Sequence, residues 1–209
     1  MTILALEFSS DRRSVALAAG GRLLAEAVQQ TDSRATDALG LIDQALESAS
    51  LTRSAVEVVV IGLGPGSYTG IRAAIAVAQG WQLATGVKLL GIKSLDAMVA
   101  ASRAAGRQGR IHFAIDAQRG EFYLTTLDFG PAGPQEVTSL RIVPASEIDR
   151  LGQMGEICVG PEQVPPEYPS AAVLALLAGN RHDFVRGEDL EPIYLRETSF
   201  IKAAPARLI

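Results

Sequence analysis

Gly62, Gly64, Gly66 and Gly70, with Ser67 and Thr69 set among them, are the residues whose types and spacing most suggest chemistry. They lie in the stretch I-G-L-G-P-G-S-Y-T-G-I-R over residues 61–72, between an apolar segment and a long run of small residues. A strand, a glycine bend and a helix in succession hold phosphates in many α/β proteins, because backbone N–H groups and the helix dipole converge there. The spacing nevertheless fits no catalytic loop. The pattern G-x-x-x-x-G-K-[ST], counted from Gly62 or Gly64, asks for glycine where Ser67 or Thr69 stands, and no lysine is near. The pattern G-x-G-x-x-G, counted from Gly64 and Gly66, asks for glycine at Thr69. A nucleophile elbow G-x-S-x-G centred on Ser67 asks for glycine at Pro65. On the residues alone, the stretch reads as a tight turn and a helix cap.

The remaining chemistry is sparse. The two histidines, His112 and His182, have no second histidine or cysteine at metal-ligand spacing, so neither a metal site nor a Ser-His-Asp triad is expected. Cys158 stands between Ile157 and Val159 and reads as a core residue rather than a reactive thiol. Glu7 and Asp116 each end an apolar strand. Such a pair could hold Mg²⁺ and a nucleotide, since hard cations take oxygen ligands beside phosphates. The other reading, which the residues favour, is that both carboxylates bond nearby backbone N–H groups or arginines.

The elements that must position these residues follow from pattern. The chain has 209 residues, a net charge of -4 and 48% hydrophobic residues, with only 5% aromatics. Its mean hydropathy is +0.20. That is enough chain for a substantial core, in one domain or two halves. No apolar run reaches the roughly 20 residues of a membrane span, and the start lacks a basic leader region, so a cytoplasmic location is expected. The basic residues are scattered, which argues against a chain that grips RNA phosphates unaided.

Residues 3–8, 14–18 and 23–28 read as antiparallel strands joined by polar turns. Thr31, Asp32 and Ser33 offer helix N-cap chemistry for a helix over 33–48. Residues 56–63 are apolar almost throughout, which predicts a strand buried on both faces. The helix after the glycine bend runs over 68–84 and stops at Gly86, which suits the position after a helix end. A strand over 88–92 and a helix capped by Ser94 follow, and residues 106–109 read as a linker. Then the opening pattern returns: Ala5-Leu6-Glu7 is echoed by Ala114-Ile115-Asp116, each followed by a polar turn holding an arginine and by a returning strand. Two related halves, 1–106 and 107–209, are one explanation; a chance similarity of two hairpins is the other.

Taken together, these residues resemble the bacterial TsaB (YeaZ) family of tRNA threonylcarbamoyladenosine synthesis. The resemblance rests on the first strand with its return S-V-A-L at 14–17, G-x-G-P-G-S-[FY]-T-G-[IV]-R at 62–72, A-[IV]-D-A-[RQ]-x-G-E-[VF]-Y at 114–123, and P-x-Y-L-R at 192–196. It covers essentially the whole chain. It implies the α/β fold shared by actin, sugar kinases and Hsp70, with two β-β-β-α-β-α halves. It further implies a non-catalytic subunit without cofactor or metal, which pairs with TsaD and TsaE and meets tRNA only through that complex. TsaD would transfer threonylcarbamoyl from threonylcarbamoyl-AMP to the adenosine 3′ of the anticodon. The catalytic paralogue's H-x-x-x-H pair has no counterpart in residues 33–48. The alternative is a nucleotide-hydrolysing or sugar-kinase-like enzyme of the same fold, but the second half shows no glycine-rich adenosine motif.

A scaffold works through its surface. The helix over 68–84 is apolar nearly all round, so one face must meet the sheet and another must be covered. Its small residues allow a second helix to approach to about 8 Å. Gly80 costs roughly 1 kcal/mol in a helix interior, which suggests a packing reason. The candidate subunit interface is therefore Ala35, Leu39 and Ile42 on the first helix with Ala73, Ala76, Val77 and Gly80 on the second. A homodimer is expected when the chain is alone.

Overall fold

In a computed structural model the structure describes residues 1–30 and 37–195. The first sheet is built from β1 (Thr2–Glu7), β2 (Arg12–Ala19), β3 (Arg22–Gln30), β4 (Val58–Gly62) and β5 (Lys88–Ile92), in the order β3-β2-β1-β4-β5. The hairpins β1–β2 and β2–β3 are antiparallel, whereas β4 lies parallel to β1 and β5 parallel to β4. Every residue of β4 is buried, as its unbroken apolar sequence requires. Helices α1 (Ala38–Ser48) and α2 (Tyr68–Thr85) cover one face through Leu41, Ile42, Ile71 and Ile75.

The second sheet, in the order β8-β7-β6-β9, comprises β6 (Gly109–Gln118), β7 (Glu121–Gly130), β8 (Gly133–Pro144) and β9 (Ile157–Val159). Helix α4 (Ala145–Gln153) lies on one face through Ile148 and Leu151. Helix α3 (Ser94–Ala104) joins the halves: Ala97 packs with the first sheet, and Leu95 and Met98 pack with Phe113 and Phe129 of the second. The chain then returns, because α5 (Ala171–Leu177) buries Ala171, Leu174 and Ala175 against β1 and β2 of the first sheet. Along the chain, β6-β7-β8-α4-β9-α5 repeats the order of β1-β2-β3-α1-β4-α2. This is the α/β arrangement of the actin and sugar-kinase class, and the two hairpins that echo each other in sequence hold corresponding places in it.

Two local expectations differ from the structure. The first helix starts at Ala38, with Asp37 as its N-cap accepting from the Gly40 N–H; Thr31, Asp32, Ser33 and Ala35 lie outside the described residues. Ser94 does not cap α3. Lys93 occupies the cap position, and the Ser94 hydroxyl turns instead to the Gly64 N–H. The end of α2 agrees with expectation, since Gly86 takes a left-handed conformation at φ +73° and its N–H closes on the Gln82 carbonyl. Among the described residues, no helix is long and apolar enough to cross a membrane.

Candidate functional site

The glycine stretch is a backbone-packing device. Ser67 caps α2, its Oγ accepting from the Gly70 N–H at 3.3 Å. The Ser67 N–H donates to the Ser9 carbonyl at 2.6 Å. A Cβ on Gly66 would strike that same carbonyl, and one on Gly70 would strike the Phe8 carbonyl. The glycines are thus needed where two backbones touch, with Gly64 and Gly66 also at positive φ, +90° and +144°.

The two carboxylates do the same local job in the two halves, Glu7 as the last residue of β1 and Asp116, contrary to expectation, two residues before the end of β6. Glu7 Oε1 accepts the Ser9 N–H at 2.8 Å, and Asp116 Oδ1 accepts the Gln118 N–H at 2.7 Å. They are not brought together. Glu7 is fully buried inside the first half, where burial raises its pKa above the ordinary value. Asp116 instead lines a cleft of about 480 Å³ between the halves. Ser9, Asp11, Arg13, Ser67, Glu162 and Tyr194 also line it. Burial pushes the Glu162 carboxyl up to about 7, with the negative charges of Asp116 and Asp11 adding to the effect. Arg13 is only 2% exposed; its burial works against the charge, and Asp11 supports it. Sequence reading missed Arg13 because its burial depends on what packs over β2. The one signal was an arginine in each turn after the acid.

The other candidates sit elsewhere. His112 is buried in the second sheet, its Nδ1 2.9 Å from Thr126 Oγ1 and its Nε2 3.5 Å from Glu156. His182 lies at the surface near the Phe184 ring. Burial, assisted by Glu156, raises the Cys158 thiol pKa. Among the described residues no group of three His, Cys, Asp or Glu could hold a metal ion.

The outward face of α2 is an open surface. Ile71, Ala74, Ile75 and Ala78 point inward. Ala76 and Gly80 are exposed, with Ala73 and Val77 half-buried beside them, and Leu83 is 91% exposed. A Cβ on Gly80 would meet nothing within 4 Å, so this chain supplies no packing reason for the glycine. On α1, Leu39 is exposed and can join such a surface. Ile42 cannot: it is 0% exposed, inside the core beneath α1, and its place in the expected interface is corrected accordingly. At the start of α2, the Tyr68 ring lies 5.3 Å from Tyr194, and Arg72 both bonds the Tyr68 hydroxyl and lies over its ring.

Comparison with known proteins sets this geometry in a family. The family model for TsaD, tRNA N6-adenosine threonylcarbamoyltransferase, matches residues 29–154. The chain is 28% identical over 235 residues to the tRNA threonylcarbamoyladenosine biosynthesis protein TsaB of Haemophilus influenzae, covering 99% of this chain and 98% of that protein. An uncharacterized protein of Mycobacterium tuberculosis is 32% identical over 157 residues, with 73% of this chain and 70% of that one covered. Among solved structures, YeaZ from Pseudomonas aeruginosa is similar with a TM-score of 0.72 and 29% identity, over 93% of this chain and 99% of that chain.

Proposed function

The chain belongs to the TsaB (YeaZ) family of tRNA threonylcarbamoyladenosine biosynthesis proteins, and from that premise we propose that it is the non-catalytic scaffold subunit that pairs with TsaD. The observation that carries the proposal is the outward face of α2. Ala73, Ala76, Val77 and Gly80 form a smooth stripe at helical spacing, and the open space over Gly80 suits a second helix lying close. When the chain is alone, a second copy covers this face; in the working complex TsaD does, and TsaE joins the pair. The chain itself performs no transfer, and tRNA meets it only through the assembly.

The test is reconstitution with the organism's own TsaD and TsaE, supplied with threonylcarbamoyl-AMP and tRNA. This chain alone is expected to give neither transfer nor ATP hydrolysis. TsaD is expected to need it for transfer at full rate. Robust ATP hydrolysis by the purified chain, abolished by Asp116→Ala, would favour the sugar-kinase-like alternative. Equal transfer with and without the chain would remove the scaffold reading.

A further inference from the structure

Glu7 sits between the two serines that anchor the loop feeding α2. On one side its Oε1 accepts the Ser9 N–H at 2.8 Å, and the Ser9 carbonyl accepts the N–H of Ser67, the cap of α2, at 2.6 Å. On the other side, Ser94 grips Gly64 twice: its Oγ accepts the Gly64 N–H at 3.0 Å and its own N–H donates to the Gly64 carbonyl at 2.8 Å. Gly62 lies beneath both contacts. A Cβ there would collide with Glu7 Oε2 and crowd Ser94 Oγ, so these two oxygens share the space over one Cα. Both ends of residues 64–67 are therefore held by groups that touch Glu7.

The surroundings of this acid are buried and uncharged. Glu7 is 0% exposed, and neither its Oε2 nor the Ser9 Oγ has a hydrogen-bond partner among the described residues. The groups facing it come from the end of β1, from β4 and from the start of α3: Ser9, Gly62 and Ser94, none of them charged. An ionised carboxylate without a cation or a full set of donors is costly in such a place, which shifts the balance toward the neutral acid. Burial is the largest influence on this carboxyl and outweighs what the Ser9 N–H returns to the charged form.

We propose that Glu7 is held as a neutral carboxylic acid, and that its proton keeps residues 64–67, and with them the docking face of α2, in place. This rests on the reading of α2 as the docking helix. Ionisation would leave an unpaired charge over Gly62. The relief available is to move Ser9 and Ser94 and admit water, which shifts the start of α2. The linkage has a definite sign. Between the ordinary value of 4.5 and the raised folded value, the folded chain keeps a proton that the unfolded chain has lost. Stability from this group therefore falls as pH rises through that window and levels off above the folded value.

The experiment follows the carboxyl carbon of Glu7 by NMR in glutamate-labelled full-length protein, with Glu7→Gln giving the assignment. It also records the Ser67 and Gly70 amide resonances and the self-association constant across the same pH range. The amide of Glu7→Gln keeps a donor where the acid has its O–H. The Glu7 carbon is expected to titrate above the ordinary carboxylate range, and the Ser67 and Gly70 resonances to move with the same midpoint. Self-association should weaken about tenfold as pH rises from the ordinary carboxylate range through the titration of the Glu7 carbon in the native protein, and stay level in Glu7→Gln. Titration in the ordinary range, or Ser67 and Gly70 resonances that ignore it, would overturn the proposal; both readouts exist in the native protein even where Glu7→Gln does not fold. Resonances that move while association stays level would uphold the proton's role in the loop and overturn docking through α2.

Discussion

The Ser67 N–H donates to the Ser9 carbonyl at 2.6 Å, so α2 starts directly on the backbone of the turn between β1 and β2. That close approach of two backbones accounts for Gly66 and Gly70. Side chains at positions 66 and 70 would stand where the Ser9 and Phe8 carbonyls are. A motif that looks like a phosphate loop is thereby used to bring a helix hard against a strand end, and the helix so placed shows its other face outward.

The glycines of this helix should divide by what surrounds them. Gly66→Ala and Gly70→Ala should each cost about 2–4 kcal/mol, through backbone clash and, at position 66, a positive φ. Gly80→Ala should stabilise the isolated chain by about 0.5–1 kcal/mol, because it gains helix propensity and meets nothing. Urea unfolding of the three variants decides the matter. A Gly80→Ala chain less stable than its parent would mean that the position is already packed.

Neighbouring positions on α1 should separate core from surface. Ile42→Ala should cost about 2–4 kcal/mol, since it empties a fully buried site. Leu39→Ala, at 58% exposure, should stay within about 0.5 kcal/mol in the monomer. Similar losses at both positions would contradict the orientation of the helix.

These two residues also show what the sequence could and could not disclose. Apolar periodicity located α1 and its end at Ser48, because burying one stripe of a helix demands that spacing, but it set the start five residues too early. Leu39 and Ile42 are both apolar, three apart, and only the packing of α1 on the sheet sends one outward and the other into the core. Glu7 and Asp116 were legible as a pair for a different reason. Each lies at or near the end of its strand and bonds the N–H two residues on, which is local chemistry written in the chain. That Glu7 closes into its own half while Asp116 lines the cleft depends on Gly62 and Ser94, which lie far along the sequence.

Cys158 should react slowly with alkylating reagents. Burial raises its thiol pKa, and Glu156 raises it further, so less thiolate is present at neutral pH than in an unhindered cysteine. The rate of iodoacetamide modification of the folded protein should still be climbing with pH beyond the ordinary thiol value of 9.0. A profile that levels off below that value would show a thiol in quite different surroundings.

Ala76→Arg gives the most direct test of the docking face. Ala76 is exposed, and Gly80 one turn further on faces the same open space, so the arginine can extend into water and the monomer should keep its melting temperature. In a helix-on-helix interface the same guanidinium would be buried without a partner, at a cost of about 3–5 kcal/mol, which corresponds to a loss of at least a hundredfold in affinity. Gly80→Arg should behave alike. Sedimentation reads self-association and co-purification reads capture of TsaD, while the threonylcarbamoyladenosine content of cellular tRNA reads the consequence. A variant that folds, fails to bind TsaD and still supports the normal modified-tRNA level would separate this chain from the role of scaffold. A variant that folds and binds as its parent does would leave α2's outward face without a partner and send the search for the interface elsewhere on the molecule.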